Sequence, residues 1–384
     1  MHLRARGKPR NLADVVVGRI TTVAVADDRR SEHVLLVGPH SLEGDLEGYG
    51  AVLSLDSGDA THVHQGIVDV HSLDYLETGD VVALHPSGMV EVLFRRASPH
   101  NTLLTTERCN SLCIMCSQPP KDIDDSWRAT NILRALDLMD PSCQELGLTG
   151  GEPTLLGDRF FEIIDRARTV LPGTALHVLS NGRLFAETAA AARLGRLAHP
   201  DLMLGIPLYS DLDEEHDFVV QVSGAFDETI AGLYNLAAAG VPIELRMVIH
   251  GATYRRLPQF AEFVVRHLPF VDHVALMGLE MYGYVHQNLA TVWIDPDQYQ
   301  DELEQATETL ALHQVRPIIF NHQLCVLRRS LWPFAVRSIS DWKNVYLQVC
   351  SSCDVRAECG GFFHSGTKRH SGSIRPILLE GKST

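Results

Sequence analysis

The chain of 384 residues has no apolar run of the ~18 residues a membrane-spanning helix needs. It also lacks an excess of basic charge. Against 33 Lys and Arg stand 48 Asp and Glu, a formal net charge of −15. That balance argues against a nonspecific nucleic-acid binder, which needs a basic surface. It serves solubility and would suit a basic peptide partner. The start, Met1–Arg10, is basic, but no apolar signal core with a small-residue cleavage site follows. We read it as a short flexible arm of a cytoplasmic protein. No internal repeat or low-complexity segment stands out. A hydrophobic content of 45% and a charged content of 21% are ordinary for a globular chain, long enough here for more than one domain.

Cysteine is sparse but clustered. Of eight, three fall in the run Cys109-Asn110-Ser111-Leu112-Cys113-Ile114-Met115-Cys116, spaced C-x3-C-x2-C. Four lie late, at Cys325, Cys350, Cys353 and Cys359, and Cys143 stands alone as a small buried residue. Three thiolates that close cannot all pair as disulfides. In a reducing compartment such clusters bind metal or do redox chemistry. Three thiolates also leave a four-ligand site one short, and a [4Fe–4S] cluster held by three keeps an iron open for a small molecule.

Residues 12–98 read as β-rich, with short apolar runs such as Val15-Val16-Val17 and Asp80–Leu84 between Gly, Asp and Pro turns. Pro86-Ser87-Gly88 suggests a hairpin between Val81–Leu84 and Met89–Phe94. From about 101 the pattern alternates strand and amphipathic helix, the rhythm of a parallel sheet. Six strands are expected, at Leu103–Thr106, Glu145–Thr149, Ala175–Leu179, Leu202–Leu208, Val241–Ile249 and His273–Leu279. Their C-terminal ends gather glycine and polar residues, where α/β proteins place their chemistry. A long helical pattern then runs to His313, and a strand at Pro317–Asn321 leads to Cys325. The division expected is a β domain over 1–98, with about the first 12 residues flexible, and an α/β core over 99–294. A cysteine-bearing extension over 295–366 and a disordered tail over 367–384 follow.

The cysteine loop after the first strand, with Gly150-Gly151-Glu152-Pro153 ending the second, resembles the radical S-adenosylmethionine (SAM) superfamily. The resemblance implies a partial (β/α)6 barrel. It makes Cys109, Cys113 and Cys116 the catalytic ligands of a [4Fe–4S] cluster whose open iron chelates S-adenosylmethionine. Reductive cleavage then yields a 5′-deoxyadenosyl radical. The glycines let backbone approach the methionine end of the cosubstrate, Glu152 can accept from its ammonium, and Pro153 completes the motif. Ser180-Asn181-Gly182 fits the ribose-contacting position, and Arg246 is placed to meet carboxylate or ribose. Met115 stands where the family commonly carries an aromatic beside the adenine, and a thioether can still pack on a purine.

Cys350-x2-Cys353-x5-Cys359 resembles the core of the SPASM/twitch-like auxiliary-cluster extension of radical peptide maturases. The full pattern has one more cysteine where Phe363 stands. Cys325 would supply the fourth ligand of one auxiliary [4Fe–4S] cluster. A zinc knuckle and a three-ligand cluster are the alternatives. Gln118-Pro119-Pro120-Lys121, the segment Phe226–Leu236, Leu331-Trp332-Pro333-Phe334 and Asp341-Trp342-Lys343-Asn344 resemble the maturase of the His-Xaa-Ser peptide system. That implies a substrate peptide with His-Xaa-Ser repeats, a second radical SAM maturase and a small accessory protein as partners, and an external electron donor. No nucleic acid and no membrane are expected. An oxidative outcome follows if the auxiliary cluster accepts electrons. A radical enzyme acting on a small metabolite or nucleic acid, and a non-catalytic iron–sulfur or zinc protein, are the competing readings.

Other features have ordinary roles first. His216, His250 and His286 lie near strand ends and would line a cavity only if the fold turns them inward. The acidic run Asp211–Asp217 reads as a solvated loop that could face a histidine-bearing peptide. Tyr282 and Tyr284 follow the sixth strand, and packing is their ordinary role.

Overall fold

The structure is a computed structural model that describes residues 3–38, 47–55, 64–337 and 345–379. The run Asp341–Asn344, part of the resemblance above, lies outside the described residues.

The first sheet has eight strands: β1 (Arg4–Arg6), β2 (Lys8–Arg10), β3 (Val16–Thr21), β4 (His33–Val37), β5 (Ala51–Ser54), β6 (Gly66–Val68), β7 (Val81–Leu84) and β8 (Met89–Phe94). Their order is β1-β8-β7-β3-β4-β5-β6-β2. The two edge strands are consecutive in the chain, so Arg4–Arg10 borders both sides of the sheet. The basic start is therefore paired strand over residues 4–10, not a flexible arm. Its backbone N–H and C=O groups gain ladder partners that composition does not reveal. Gly7, between the two strands, has no room for a side chain: a Cβ there would lie 2.4 Å from the Val68 carbonyl oxygen. The hairpin at 86–88 turns on Gly88 at φ +80°, with its N–H on the His85 carbonyl. Ile20, Val34, Leu53, Ile67, Val82, Leu84 and Val90 form this sheet's own core.

The second sheet is entirely parallel. Its strands are β9 (His100–Leu104), β10 (Glu145–Thr149), β11 (Ala175–Leu179), β12 (Leu202–Pro207), β13 (Ile243–Ile249), β14 (His273–Gly278) and β15 (Arg316–Phe320). They lie in sequential order from β9 to β15. The helices are α1 (Trp127–Leu138), α2 (Asp158–Val170), α3 (Thr188–Leu197), α4 (Asp213–Val220), α5 (Ala225–Ala238), α6 (Leu257–His267), the short α7 (Leu289–Val292) and α8 (Gln300–Leu312). Each connects strands as crossovers of parallel neighbours must. Their apolar stripes are regular. In α6, Leu257, Phe260, Ala261 and Val264 are buried at i, i+3, i+4 and i+7. Among the described residues no helix is long and apolar enough to cross a membrane.

The sheet holds seven strands where the sequence suggested six. Arg316–Phe320 pairs with β14 from His273↔Arg316 to Met277↔Phe320, so the core sheet runs past residue 294. α8 is simply another crossover helix; its buried Leu303, Ala306, Thr307 and Leu310 pack it as the earlier helices pack. The tail also differs from expectation. Residues 371–379 are held by hydrogen bonds to the late cysteine region, with Ser371 2% exposed. Ile374 and Ile377 supply apolar surface that polar neighbours mask in a composition reading.

The two sheets meet through buried charge. Arg19 of β3 donates to the last-turn carbonyl of Leu138 at 2.9 and 2.6 Å. Glu91 of β8, 6% exposed, pairs with Arg4 at 2.9 Å and with Arg128 of α1 at 3.4 Å. Burial works to raise its pKa, but the His85 contact and the two guanidiniums hold it at about 2. Arg128 also lies 3.7 Å from Asp125, which accepts from Thr106 Oγ1 at 2.8 Å and Glu107 N at 2.6 Å. A chain of charges thus runs from the first sheet to the root of the cysteine loop.

Candidate active site

In strands β10 to β13 successive side chains alternate between helix-packed core and an open face. The open face lines a cavity of about 570 Å³. Small-molecule sites typically occupy about 300–1,000 Å³. Cys109, Cys113, Met115, Cys116, Gly150, Gly151, Ser180, Asn181 and Arg246 all line it. Loops after β9, β10 and β11 and a side chain of β13 therefore converge on one space.

The cysteine loop is fixed at both flanks by backbone bonds. Leu112 and Ile114 donate to the carbonyls of Val220 and Val219 at the end of α4, at 3.0 and 2.9 Å. The Cys116 carbonyl accepts from Tyr284 N at 2.9 Å, and Asn288 Nδ2 donates to the Ile114 carbonyl at 2.8 Å. Gly283, at φ +60°, permits this approach, since a Cβ there would lie 2.2 Å from the Cys116 oxygen. Tyr284 thus serves through its backbone, while Tyr282 is exposed.

Burial pushes the Cys109 thiol up to about 11 and Cys113 up to about 12, and it raises Cys116 as well. The mutual charge of the three thiols adds to the shifts of Cys109 and Cys113. Three thiolates this close favour a cationic group among them. Among the described residues no set of three His, Cys, Asp or Glu side chains closes around a single ion. A mononuclear zinc site needs its thiolates drawn to about 2.3 Å from one centre. Three thiols facing a cavity large enough for a cosubstrate fit a cluster with one open iron.

Glu152 departs from its expected role. It is 0% exposed and accepts four hydrogen bonds: Thr154 N at 3.0 Å, Thr154 Oγ1 at 2.7 Å, Ser180 Oγ at 2.8 Å and Asn181 N at 2.6 Å. Burial raises its pKa, against the pull of those donors. The carboxylate ties the ends of β10 and β11 together, and the glycine backbone of 150–151 is what faces the cavity. Pro153 is buried and starts the following turn. Ser180 spends its hydroxyl on Glu152, and Asn181 Nδ2 donates to Asn110 Oδ1 at 2.6 Å, which braces the cysteine loop.

Gly151 is the tightest point. A Cβ there would lie 2.0 Å from the Arg108 carbonyl oxygen and 3.0 Å from Cys109 Cβ. Gly151→Ala is expected to displace the loop. The S-adenosylmethionine cleavage that the resemblance implies should then fall on the order of 10²-fold, as ångström-scale misplacement of reacting groups does. Assay of 5′-deoxyadenosine, with iron content measured alongside, checks this.

The floor of the cavity is polar, which no motif announced. Glu244 on β13, 4% exposed, receives Arg246 Nη1 at 2.8 Å and lies 2.7 Å from His177 Nε2 and 3.8 Å from His273 Nε2. Burial opposes its charge, but the His177 contact and the Arg246 guanidinium bring its pKa to about 2. Arg246 therefore binds inward to the floor and to Met277 Sδ at 3.2 Å. The legible signal was period two: Glu244, Arg246 and Val248 share a face, as do His177 and Leu179. Gly205 keeps the floor open, since a Cβ there would lie 3.0 Å from His177 Nε2.

The late cysteines meet at a second place. Cys325, Cys350, Cys353 and Cys359 line one pocket with Tyr346, Arg356, Ile374, Arg375 and Ile377. Burial raises Cys325 and Cys350; Cys359 and Cys350 act on the first, Cys359 and Cys353 on the second, so the four thiols are neighbours. Phe363 instead lines the first cavity.

The other candidates stay outside the first cavity. His216 stacks on Tyr209 and accepts from Tyr209 N at 3.2 Å. His250 is buried, its Nδ1 accepting from Ala252 N at 3.3 Å, and His286 is exposed. Asp211 pairs with Arg256, and Asp217 caps the start of α5 through Phe226 N at 2.8 Å. Cys143 is buried, its thiol 3.5 Å from the Glu145 carbonyl.

Residues 103–264 match the Radical SAM superfamily model. The chain is 26% identical over 217 residues to the Fe-coproporphyrin III synthase of Methanosarcina barkeri, covering 56% of this chain and 50% of that one. It is 28% identical over 170 residues to the mycofactocin maturase MftC of Mycobacterium tuberculosis, covering 42% and 40%. The chain thus spans half or less of the length of these curated relatives. Among solved structures it resembles Streptococcus suis SuiB bound to S-adenosylmethionine, at TM-score 0.46 and 14% identity, covering 63% of this chain and 53% of SuiB. It also resembles anSMEcpe with bound AdoMet and the Cp18Cys peptide, at TM-score 0.43 and 17% identity, covering 57% and 62%. The cysteine loop and the glycine turn, which converge on the cavity at the end of the parallel sheet, both lie in the span 103–264 that matches the Radical SAM superfamily model.

Proposed function

We propose that the protein is a radical SAM maturase that oxidatively modifies a ribosomally made peptide of the His-Xaa-Ser repeat type. The observation that carries this reading is the pair of thiol sites on one chain: three cysteines facing an open cavity, and four meeting under the C-terminal region. A maturase among the relatives supports it.

When bound at Cys109, Cys113 and Cys116, a [4Fe–4S] cluster with S-adenosylmethionine supplies a hydrogen-abstracting 5′-deoxyadenosyl radical. The chain's own residues bind and orient. Gly150 and Gly151 would present backbone to the cosubstrate and Met115 a thioether to its base, while Glu152 ties together the ends of β10 and β11. At the floor, Arg246 has its Nη2 on a thioether, a weak acceptor that a substrate carbonyl outbids. His177, held at Glu244, is placed to keep or move a proton at Nε2. Cys325, Cys350, Cys353 and Cys359 would hold one auxiliary [4Fe–4S] cluster. A second radical SAM maturase, a small accessory protein and an external electron donor are the partners of this reading.

The test is coexpression with a His-Xaa-Ser repeat peptide, followed by mass spectrometry of the peptide. A loss equal to two hydrogens is expected. An unchanged peptide, with 5′-deoxyadenosine still produced by the purified enzyme, rejects the peptide assignment. It would favour a small-molecule substrate, a reading that the similarity to a coproporphyrin-named enzyme also supports.

A further inference from the structure

The tail beyond residue 370 is built into the second thiol site. Gly372 N donates to Asp295 Oδ2 at 3.0 Å, and the His370 ring lies edge-on to Phe362 at 5.4 Å. At the far end Asp354 clamps the tail segment in both directions: its N–H donates to the Ile377 carbonyl at 2.9 Å, and its carboxylate accepts from Leu379 N at 2.7 Å. Between these anchors, Ile374, Arg375 and Ile377 line the pocket of the four cysteines.

One backbone donor of this segment ends on sulfur: Ile377 N donates to Cys353 Sγ at 3.4 Å. The Arg375 backbone lies beside the Cys325 thiol and works to lower its pKa against burial. A second sulfur, Cys359, takes Gly361 N at 3.5 Å from within the cysteine region. Pro376 precedes the Ile377 donor; with φ held near −65° and no N–H of its own, it favours the extended course that lets Ile377 point at the site.

We propose that residues 371–379 form a strap that closes the second thiol site, with the Ile377 amide as a positioning donor that sets its reduction potential. The inference rests on the reading that the four late cysteines hold a cluster. Amide donors on ligating sulfurs spread charge that is greatest in the reduced state, so they raise the potential. The apolar side chains of the strap exclude water from the same place.

The experiment uses the full chain carrying Cys109→Ala, Cys113→Ala and Cys116→Ala, reconstituted anaerobically, so that only the late cysteines hold iron. Ile377→Pro removes the donor; Ile377→Val keeps it. Redox titration followed by electron paramagnetic resonance is expected to show a more negative potential and altered g values for Ile377→Pro, with Ile377→Val unchanged. A chain ending at Gly372 should show the same direction and lose iron to a chelator on the order of tenfold faster. Iron retained with the same potential in the proline variant and in the shortened chain overturns the strap alone. Iron absent from the triple variant, while the unaltered chain binds it, overturns the second-cluster reading instead.

Discussion

On the two-cluster reading proposed above, Cys113→Ala is expected to abolish formation of 5′-deoxyadenosine and to lower bound iron from about eight atoms per chain to about four. Cys113 is the most enclosed of the three loop thiols, with burial and both neighbours pushing it up to about 12. A thiol that reluctant to ionise alone has its thiolate stabilised chiefly by a metal. Removing one of three protein ligands leaves the first site with two thiolates, below what the cluster retains. The same substitution should leave the late cysteines loaded, since they lie in a pocket that shares no lining residue with the cavity. Iron analysis and product assay on one preparation decide it. Retained cleavage activity in Cys113→Ala would remove this loop from the chemistry. Loss of all iron would mean instead that the two sites assemble together.

Folding stability is expected to fall steeply as pH drops below about 6.5. Burial lowers the pKa of His216, His250 and His322 from 6.5 to about 4 each. His322 shows why. Its Nδ1 is paired with the Phe320 carbonyl at 2.8 Å and its Nε2 with Tyr299 Oη at 2.8 Å, a neutral-ring arrangement that a second proton breaks. In the unfolded chain these rings take protons below 6.5, whereas in the fold they resist until about 4. The unfolded state then binds more protons, so stability is full above 6.5 and is lost as pH falls toward 4. Each ring contributes a slope of about 1.4 kcal/mol per pH unit, so three give roughly 4. Between pH 6.5 and 5 that removes about 6 kcal/mol, a large share of a total of about 5–15 kcal/mol. Glu91 and Glu244, held at about 2, add to the loss only below about 4.5. Denaturant titrations at pH 7.5, 6 and 5 measure the slope. His250→Gln should reduce it by about a third. An unchanged slope in that variant would exclude His250 as a source.

What was legible along the chain was whatever local pattern encodes. The spacing of Cys109, Cys113 and Cys116, with glycines ending the next strand, marked the site because both features sit within single loops. The 3.6-residue stripe of α6 and the alternation along β10 and β11 are likewise properties of short segments. Glu152 was given a cosubstrate contact by its motif, whereas the fold gives its carboxylate four protein donors. Its actual partners, Ser180 and Asn181, come from a loop 28 and 29 residues away. The polar floor was missed for a similar reason. A glutamate and a histidine in separate strands look like isolated polar residues until β11, β12 and β13 are laid side by side.

By itself, then, the sequence determined the chemistry's entry point: three thiols in a loop, a glycine turn, and a repeating strand–helix order that places both at the same end of a parallel sheet. Only the tertiary structure decided which groups share that space. It turned Glu152 inward, joined His177, Glu244 and Arg246 beneath the cavity, drew Cys325 to three cysteines 25 or more residues later, and wrapped the tail over them. The reason is physical. A buried charge or a sulfur takes its energy from partners brought close by packing, and such partners are set by the sheet's register, not by neighbours in the chain.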